Sequence, residues 1–460
     1  MRLKPIDRKD KLIDGDLTVN VWTPSGFLQA GTLSLEEDGD DVAASFDYLP
    51  AYLANRAAFP LDPINLPLGV STFSTVSQFV RLGAIFDAAP DAWGRRVVQA
   101  QLAEEARQRV FRGAFLRGAD GIGALVITPK ALDGEIDLDA IIKMSLEERP
   151  GMSQLERAAQ AAAEFEKGEE LTEEMREMLG GSWTIGGARP KAILRRDDAA
   201  GVPGESLIAK FKSKNDTVID RNRLEFAALR MASDMGFRVP QIRLSEFAGH
   251  GGGTATSLLL ERFDRTVREG VVHRRHYVSA MSLASHQPQS KMLNSPLDKA
   301  VISWGKLLEL ASRVGERPAA ARVEMFARLC LNTALQNTDD HLKNFGFLRS
   351  ETSTLHYEIA PVFDVSPQAA QRHYLHCADL GQVYSLKEVL SRWRVLGIAK
   401  GACEEVEQRL VEVLRERSRY FDEAGMSDGE TRLASEWIDS GLGFDVGTPP
   451  PPRGVERSAP

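Results

Sequence analysis

NTDDHLKNFGFL, residues 337 to 348, is followed after ten residues by IAPVFDVSP, residues 359 to 367. The first stretch sets Asp339 five residues before Asn344, and the second adds Asp364 beyond a segment that reads as a hairpin. Phosphoryl transfer asks a protein for this trio. One carboxylate accepts the proton of an attacking hydroxyl, while a carboxamide and a second carboxylate hold magnesium against phosphates. A polar helix-to-strand loop also favours Asp and Asn as turn formers. The second aspartate, placed after a strand pair, tips the reading towards chemistry.

The spacing from Asp339 to Asn344 is that of the Asp and Asn in the protein-kinase loop HRDxxxxN. No His-Arg precedes Asp339, and His341 stands where protein kinases commonly carry lysine. An Asp-x-His-x-x-Asn loop is also similar to lipid kinases of the phosphoinositide type. Asp364 sits in Asp-Val-Ser, not Asp-Phe-Gly. A metal-binding aspartate needs only its carboxylate aimed at the phosphates, so the residues after it are free to vary.

Working outward, the texture before this region is that of a kinase small lobe. GSWTIGGARPKAILRR (181 to 196) is glycine-rich and then strand-like. SLIAKFKS (206 to 213) reads as a strand carrying Lys210. A lysine there can face a cleft and meet nucleotide phosphates. DRNRLEFAALRMASDMG (220 to 236) reads as an amphipathic helix capped by Asp220 and stopped by Gly236, with Glu225 as a candidate ion-pair partner for Lys210. TATSLLLERFDR (254 to 265) is a further strand. In GGARPK (186 to 191), backbone N–H groups of Gly186, Gly187 and Ala188, with Arg189 and Lys191, suit an anion. A plain Gly-Gly turn is the simpler reading of that segment alone.

Residues 17 to 36 alternate around Pro-Ser-Gly and predict a β-hairpin. ASFDYLPAYL (44 to 53) continues the sheet or turns into a short helix, and GIGALVITP (121 to 129) is a strand. Residues 78 to 109 look helical with a break near Pro90. Residues 136 to 180, with the acidic stretch EKGEELTEEMREML, carry helical periodicity and predict a solvated helical connector. Further helices are expected near 296 to 314, 317 to 336 and 386 to 424. The fold class is therefore α+β, a two-lobed protein-kinase-like fold with a β-rich N-terminal subdomain and a mostly helical C-terminal lobe. Its expected parts are 1–130 (β-rich subdomain), 131–180 (helical connector), 181–265 (small lobe), 266–445 (helical large lobe) and 446–460 (disordered, proline-rich tail).

The 460 residues carry 57 Lys and Arg against 65 Asp and Glu, a net charge of −8. Autonomous DNA binding usually needs a basic surface, so it is a poor fit here. Three scattered cysteines form no disulfide framework and suit a reducing compartment. The charged start is no secretory signal, and no apolar run spans a membrane. A cytoplasmic location and no membrane partner are expected. Walker A, zinc, GxSxG and dinucleotide motifs are absent.

Taken together, these segments resemble the HipA family of bacterial serine/threonine kinases, toxins of toxin–antitoxin pairs. NTDDHLKNFGFL, IAPVFDVSP, LLLERFDR, LIAKFKS and GGARPKAIL carry the resemblance, with AGTLS, FDAAPDAWGRR and GIGALVITP in the N-terminal part. The resemblance implies ATP and Mg²⁺ as cofactors. Asp339 would be the catalytic base, and Asn344 and Asp364 the magnesium ligands. Lys210 would bind phosphates, Glu261 and Phe263 would hold the adenine at the hinge, and His341 would lie against the nucleotide. Gly186, Gly187, Ala188 and Lys191 would form the phosphate-contacting loop. It also implies a HipB-like helix-turn-helix antitoxin that tethers the chain to operator DNA. The substrate would be a translation component, such as an aminoacyl-tRNA synthetase, whose phosphorylation arrests growth. Family members silence themselves by phosphorylating a serine before the glycine loop. Here Thr184 takes that place, with Ser182 two residues earlier. The alternatives are a lipid or small-molecule kinase, or a non-catalytic module that binds nucleotide or antitoxin.

Overall fold

A computed structural model of the chain describes residues 14–38, 41–76, 82–89, 92–102, 107–117, 121–135, 137–179, 187–196, 205–249, 253–269, 271–284, 301–353 and 355–446. Two compact units interleave along the sequence. The first takes Met1–Asn215, Ser245–Met292 and Phe345–Ala360; the second takes Asp216–Leu244, Leu293–Asn344 and Pro361–Pro460.

The first unit opens with the expected hairpin, β1 (Leu17–Thr23) and β2 (Gly26–Asp38), in which Thr23 pairs with Gly26. Gly26 takes φ 105°, a left-handed conformation that costs glycine nothing and closes the two-residue Pro24-Ser25 turn. With β3 (Asp41–Tyr48), β4 (Phe73–Val76) and β5 (Leu125–Pro129) they form one sheet of order β4-β3-β2-β1-β5. Leu17, Val19 and Val21 leave no surface exposed and pack with Leu33, Phe46 and Phe59. Each such side chain contributes roughly 1.5–3 kcal/mol of burial. The stretch after Phe46 satisfies both sequence readings: strand to Tyr48, then one helical turn at Pro50–Leu53.

Helices α1 (Ala92–Gln101), α2 (Val110–Arg117), α3 (Leu138–Glu147), α4 (Leu155–Lys167) and α5 (Glu173–Leu179) follow. The acidic stretch is more than a solvated connector. Ala158, Ala161, Ala162 and Phe165 on α4, at helical spacing, share a core with Met175, Met178 and Leu179 of α5 and with a second sheet. That sheet holds β6 (Lys191–Arg195), β7 (Ser206–Phe211), β8 (Ile242–Ala248) and β9 (Thr254–Glu261) in the order β6-β7-β9-β8. Two small sheets complete the unit, β10 (Arg265–Arg268) with β11 (Val271–Arg274), and β12 (Tyr277–Ser279), β13 (Gly346–Arg349) and β14 (Tyr357–Ile359). The antiparallel pair β13 and β14 is the hairpin expected between Asp339 and Asp364.

The second unit is helical: α6 (Arg221–Asp234), α7 (Trp304–Val314), α8 (Pro318–Ala334), α9 (Leu386–Ser391), α10 (Lys400–Arg415), α11 (Arg417–Glu423) and α12 (Asp428–Leu442). Asp220 caps α6 by accepting from the amides of Asn222 and Arg223, at 2.9 and 3.3 Å. The helix expected over 386 to 424 is three helices, interrupted between Ser391 and Lys400 where Gly397 takes φ 71°. Helix α12, unread in the sequence, opens with a Ser427/Glu430 capping box. Cys330, Cys377 and Cys403 are buried free thiols, and burial pushes the Cys377 thiol up to about 12. Among the described residues no helix is long and apolar enough to cross a membrane.

Candidate active site

The loop after α8 is shaped by side-chain amides. Gln336 takes φ 52° and turns the chain off the helix end. Asn337 then binds two ways. Its Nδ2 donates to Asn332 Oδ1 at 2.5 Å, and its Oδ1 accepts from the Ser366 amide at 3.2 Å. One carboxamide therefore ties the end of α8 to the segment two residues past Asp364. Asp339 follows with 64% of its side chain exposed, and His341 Nε2 lies 3.8 Å from its Oδ1. A 3₁₀ turn, Leu342–Asn344, closes the loop.

Within that turn Asn344 Nδ2 donates to the Asp339 carbonyl at 2.7 Å, and the Asn344 amide donates to the His341 carbonyl at 2.9 Å. The nitrogen of the carboxamide, which cannot ligate a cation, is thus used by the loop. The remaining atom is Oδ1, a hard oxygen suited to Mg²⁺. Asp364 is half-buried and takes φ 55°. A non-glycine residue in that region costs free energy and is held there by its surroundings. A carboxamide and a carboxylate would be a sparse ligand set, of the kind magnesium accepts while keeping waters and phosphates in its other positions. Among the described residues no three His, Cys, Asp or Glu side chains gather as a metal site.

The first unit supplies a different surface. Residues opposite one another on antiparallel strands share a face. Lys191 faces Lys210 and Ile193 faces Ile208 across β6 and β7; Lys210 faces Leu258 and Ile208 faces Leu260 across β7 and β9. One face of the sheet therefore carries four apolar side chains with two lysines at one end. Lys191 and Lys210 are buried, at 2% and 7% exposure. Two lysines thus stand side by side on neighbouring strands at this end of the face. The alternate residues Ala192, Leu194, Leu207, Ala209 and Leu259 point into the core shared with α4 and α5.

Glu261 belongs to that second face. Its carboxylate pairs with Arg196 at 2.6 Å, and Arg196 also meets Glu205 at 3.2 Å. Phe263 packs in a small apolar cluster with Tyr277 and Ile122. Gly187, at φ 96°, and the exposed Ala188 lead into β6, and the Gly187 carbonyl accepts from the Trp93 amide at 3.3 Å. Ser182, Thr184 and Gly186 lie outside the described residues. Lys210 belongs to the first unit and Glu225, buried on α6, to the second.

Sequence reasoning passed over Asp340, the neighbour of Asp339. Asp340 is fully buried. Its Oδ1 accepts from the amides of Tyr374 and Leu375 at 2.8 and 3.2 Å. Its Oδ2 accepts from Trp304 Nε1 at 3.0 Å and meets His373 Nδ1 at 3.2 Å. The only signal in the sequence was the doubled Asp-Asp, which does not say which aspartate turns inward.

A family model described as the HipA-like C-terminal domain matches residues 183–419, just over half of the chain. The chain belongs to that family. Across 93% of its length this HipA-like chain also superposes on 96% of the chain of a Shewanella oneidensis HipA, solved with HipB and operator DNA, at TM-score 0.61 and 19% identity. That similarity establishes the shared fold. A Helicobacter pylori kinase, CtkA, aligns with 56% of this chain and 88% of its own at TM-score 0.40 and 19% identity. A Haemophilus influenzae protein provisionally named a kinase is 28% identical over 146 residues, which cover 31% of this chain. The match spans 41% of that relative's length.

Proposed function

We propose that this HipA-like chain is a cytoplasmic, ATP- and Mg²⁺-dependent protein kinase that phosphorylates serine or threonine hydroxyls. The observation that carries the reading is the Asp339 loop. Its aspartate is exposed, its asparagine amide is oriented by the loop's own backbone, and Asn337 ties it to the segment that follows Asp364. On this reading Asp339 accepts the proton as the acceptor oxygen attacks the γ-phosphorus. The bond to the bridging oxygen breaks and ADP leaves. Asn344 Oδ1 and the Asp364 carboxylate would hold magnesium, whose charge offsets that of the phosphates. The sheet face with Ile193, Ile208, Leu258 and Leu260 suits a purine, and Lys191 and Lys210 suit its phosphates. Glu261 and Phe263 would hold the adenine at the hinge, and His341 would lie against the nucleotide.

Family membership and the HipA fold support the biological setting: a growth-arresting toxin with a HipB-like antitoxin that brings operator DNA. The acceptor would be a translation component of the aminoacyl-tRNA synthetase kind, with self-silencing at Thr184 or Ser182.

The test is transfer of γ-labelled phosphate from ATP·Mg²⁺ to lysate proteins and to the chain itself. Asp339→Asn should lower transfer about 10²–10⁴-fold, and Lys210→Met should raise the KM for ATP about tenfold. A labelled lipid or metabolite in place of protein would move the reading to a small-molecule kinase. Undiminished activity in Asp339→Asn would leave a nucleotide- or antitoxin-binding module.

A further inference from the structure

Tyr374 lies in the irregular segment after Asp364, a stretch the catalytic reading leaves without a task. It is fastened with unusual care for a loop residue. Its amide donates both to the Thr338 carbonyl at 3.0 Å and to Asp340 Oδ1 at 2.8 Å. Its carbonyl accepts from Gln382 Nε2 at 2.6 Å. Beneath it, His373 stacks on Tyr384 at 4.4 Å, and Trp304 Nε1 donates to both Tyr384 and Asp340. This polar layer fixes residues 373 to 375 against the loop of Asp339. What it presents outward is one half-buried phenol. The ring meets His341 edge to face, centroids 6.0 Å apart at 83°. The phenol also senses the base: burial first, and then the charge of Asp339, push its pKa up.

We propose that Tyr374 is an acceptor-binding residue, its ring flanking the place where the hydroxyl to be phosphorylated meets Asp339. This rests on the kinase reading of the same loop and adds to it the wall that receives the protein substrate. An aromatic ring with a polar tip suits that task, because it covers the aliphatic part of an incoming side chain while the phenol stays wet. Rigid aromatic anchors at low entropic cost are what short peptide contacts favour. Tyr374 then acts chiefly on acceptor binding, reaching the nucleotide only through its edge contact with His341.

The experiment varies the concentration of phosphatase-treated bacterial lysate protein as acceptor, at saturating ATP·Mg²⁺, and separately varies ATP. Tyr374→Ala should raise the half-saturating acceptor concentration about tenfold with the KM for ATP within about twofold. Tyr374→Phe should recover most of the loss, because the ring does the covering. Thermal unfolding of each variant is recorded alongside, and Tyr374→Leu, which keeps apolar bulk without the ring, replaces Tyr374→Ala if that variant does not fold. The inference is overturned if the KM for ATP alone rises, if only turnover falls, or if nothing changes. Should the wild type transfer no phosphate to any acceptor while Asp339→Asn behaves identically, the kinase reading itself fails and takes this inference with it.

Discussion

Asp264 of the first unit and Asp339 of the second carry the same carboxylate in opposite surroundings. Asp264 is 2% exposed. Its two oxygens accept from Arg262 Nε at 2.9 Å, from Arg262 Nη2 at 2.7 Å and from the Gly123 amide at 2.7 Å, with Arg265 at 3.6 Å. Burial pushes its pKa up, but the charges of Arg262 and Arg265 and these hydrogen bonds hold it below the usual carboxylate range. Arg149 and Arg274, also buried, feel the same negative charge. Asp339 has 64% of its side chain in solvent, with His341 Nε2 3.8 Å from its Oδ1. The difference teaches how the chain divides its charges. A carboxylate enclosed by guanidinium groups is a joint, whereas one left to solvent supports little of the fold.

The comparison breaks most visibly at the joint. Asp264→Ala removes the carboxylate between Arg262 and Arg265, and should destabilise by about 3–5 kcal/mol in urea unfolding. A loss below about 1 kcal/mol would mean that other groups balance those arginines. Because its folded pKa is depressed, the stabilisation from Asp264 is present above the ordinary carboxylate value and lost only as pH falls well below it.

The next effect sharpens the comparison between adjacent residues. Asp340→Asn replaces one oxygen of a buried carboxyl group that accepts from the Tyr374, Leu375 and Trp304 N–H groups and should cost about 2 kcal/mol. Asp339→Asn should stay within about 0.5 kcal/mol of the wild type. Equal losses in the same denaturation series would erase the distinction between the buried and the exposed aspartate.

The smallest effect concerns a third aspartate, enclosed by amide donors. Asp62 is fully buried and accepts from the Asn65 side chain and from the amides of Asn65 and Ile64, at 2.9, 2.9 and 2.7 Å. Burial outweighs these bonds and pushes its pKa up to about 6. A raised folded pKa favours the protonated form, so its stabilisation is complete below the ordinary value near 4 and is lost as pH rises through 6. Stability should drop by on the order of 1–2 kcal/mol from pH 4 to 7, and Asp62→Asn should flatten that slope. An unchanged slope in the variant would assign the titration elsewhere.

Much of this was legible in the residues. Alternation around Pro24-Ser25 gave β1 and β2, the Asp220 cap gave α6, and the run SLIAKF gave β7 with Lys210 in it. These are local patterns, set by the periods of strand and helix and by caps a few residues away. The break within 386 to 424 was marked only by Gly397, too weak a signal against a long helical pattern.

The sequence by itself determined the identity and spacing of Asp339, Asn344 and Asp364, because loop chemistry is written in consecutive residues. It also determined the alternation that puts Lys210 opposite in phase to Ala209. Only the tertiary structure decided which of Asp339 and Asp340 faces water, that Lys191 stands across from Lys210, that Glu261 turns to Arg196, and that Asn337 bridges to Ser366. Register between strands and the inward turn of one aspartate depend on partners tens of residues distant. Those partners become neighbours only when the apolar faces of both units have been buried.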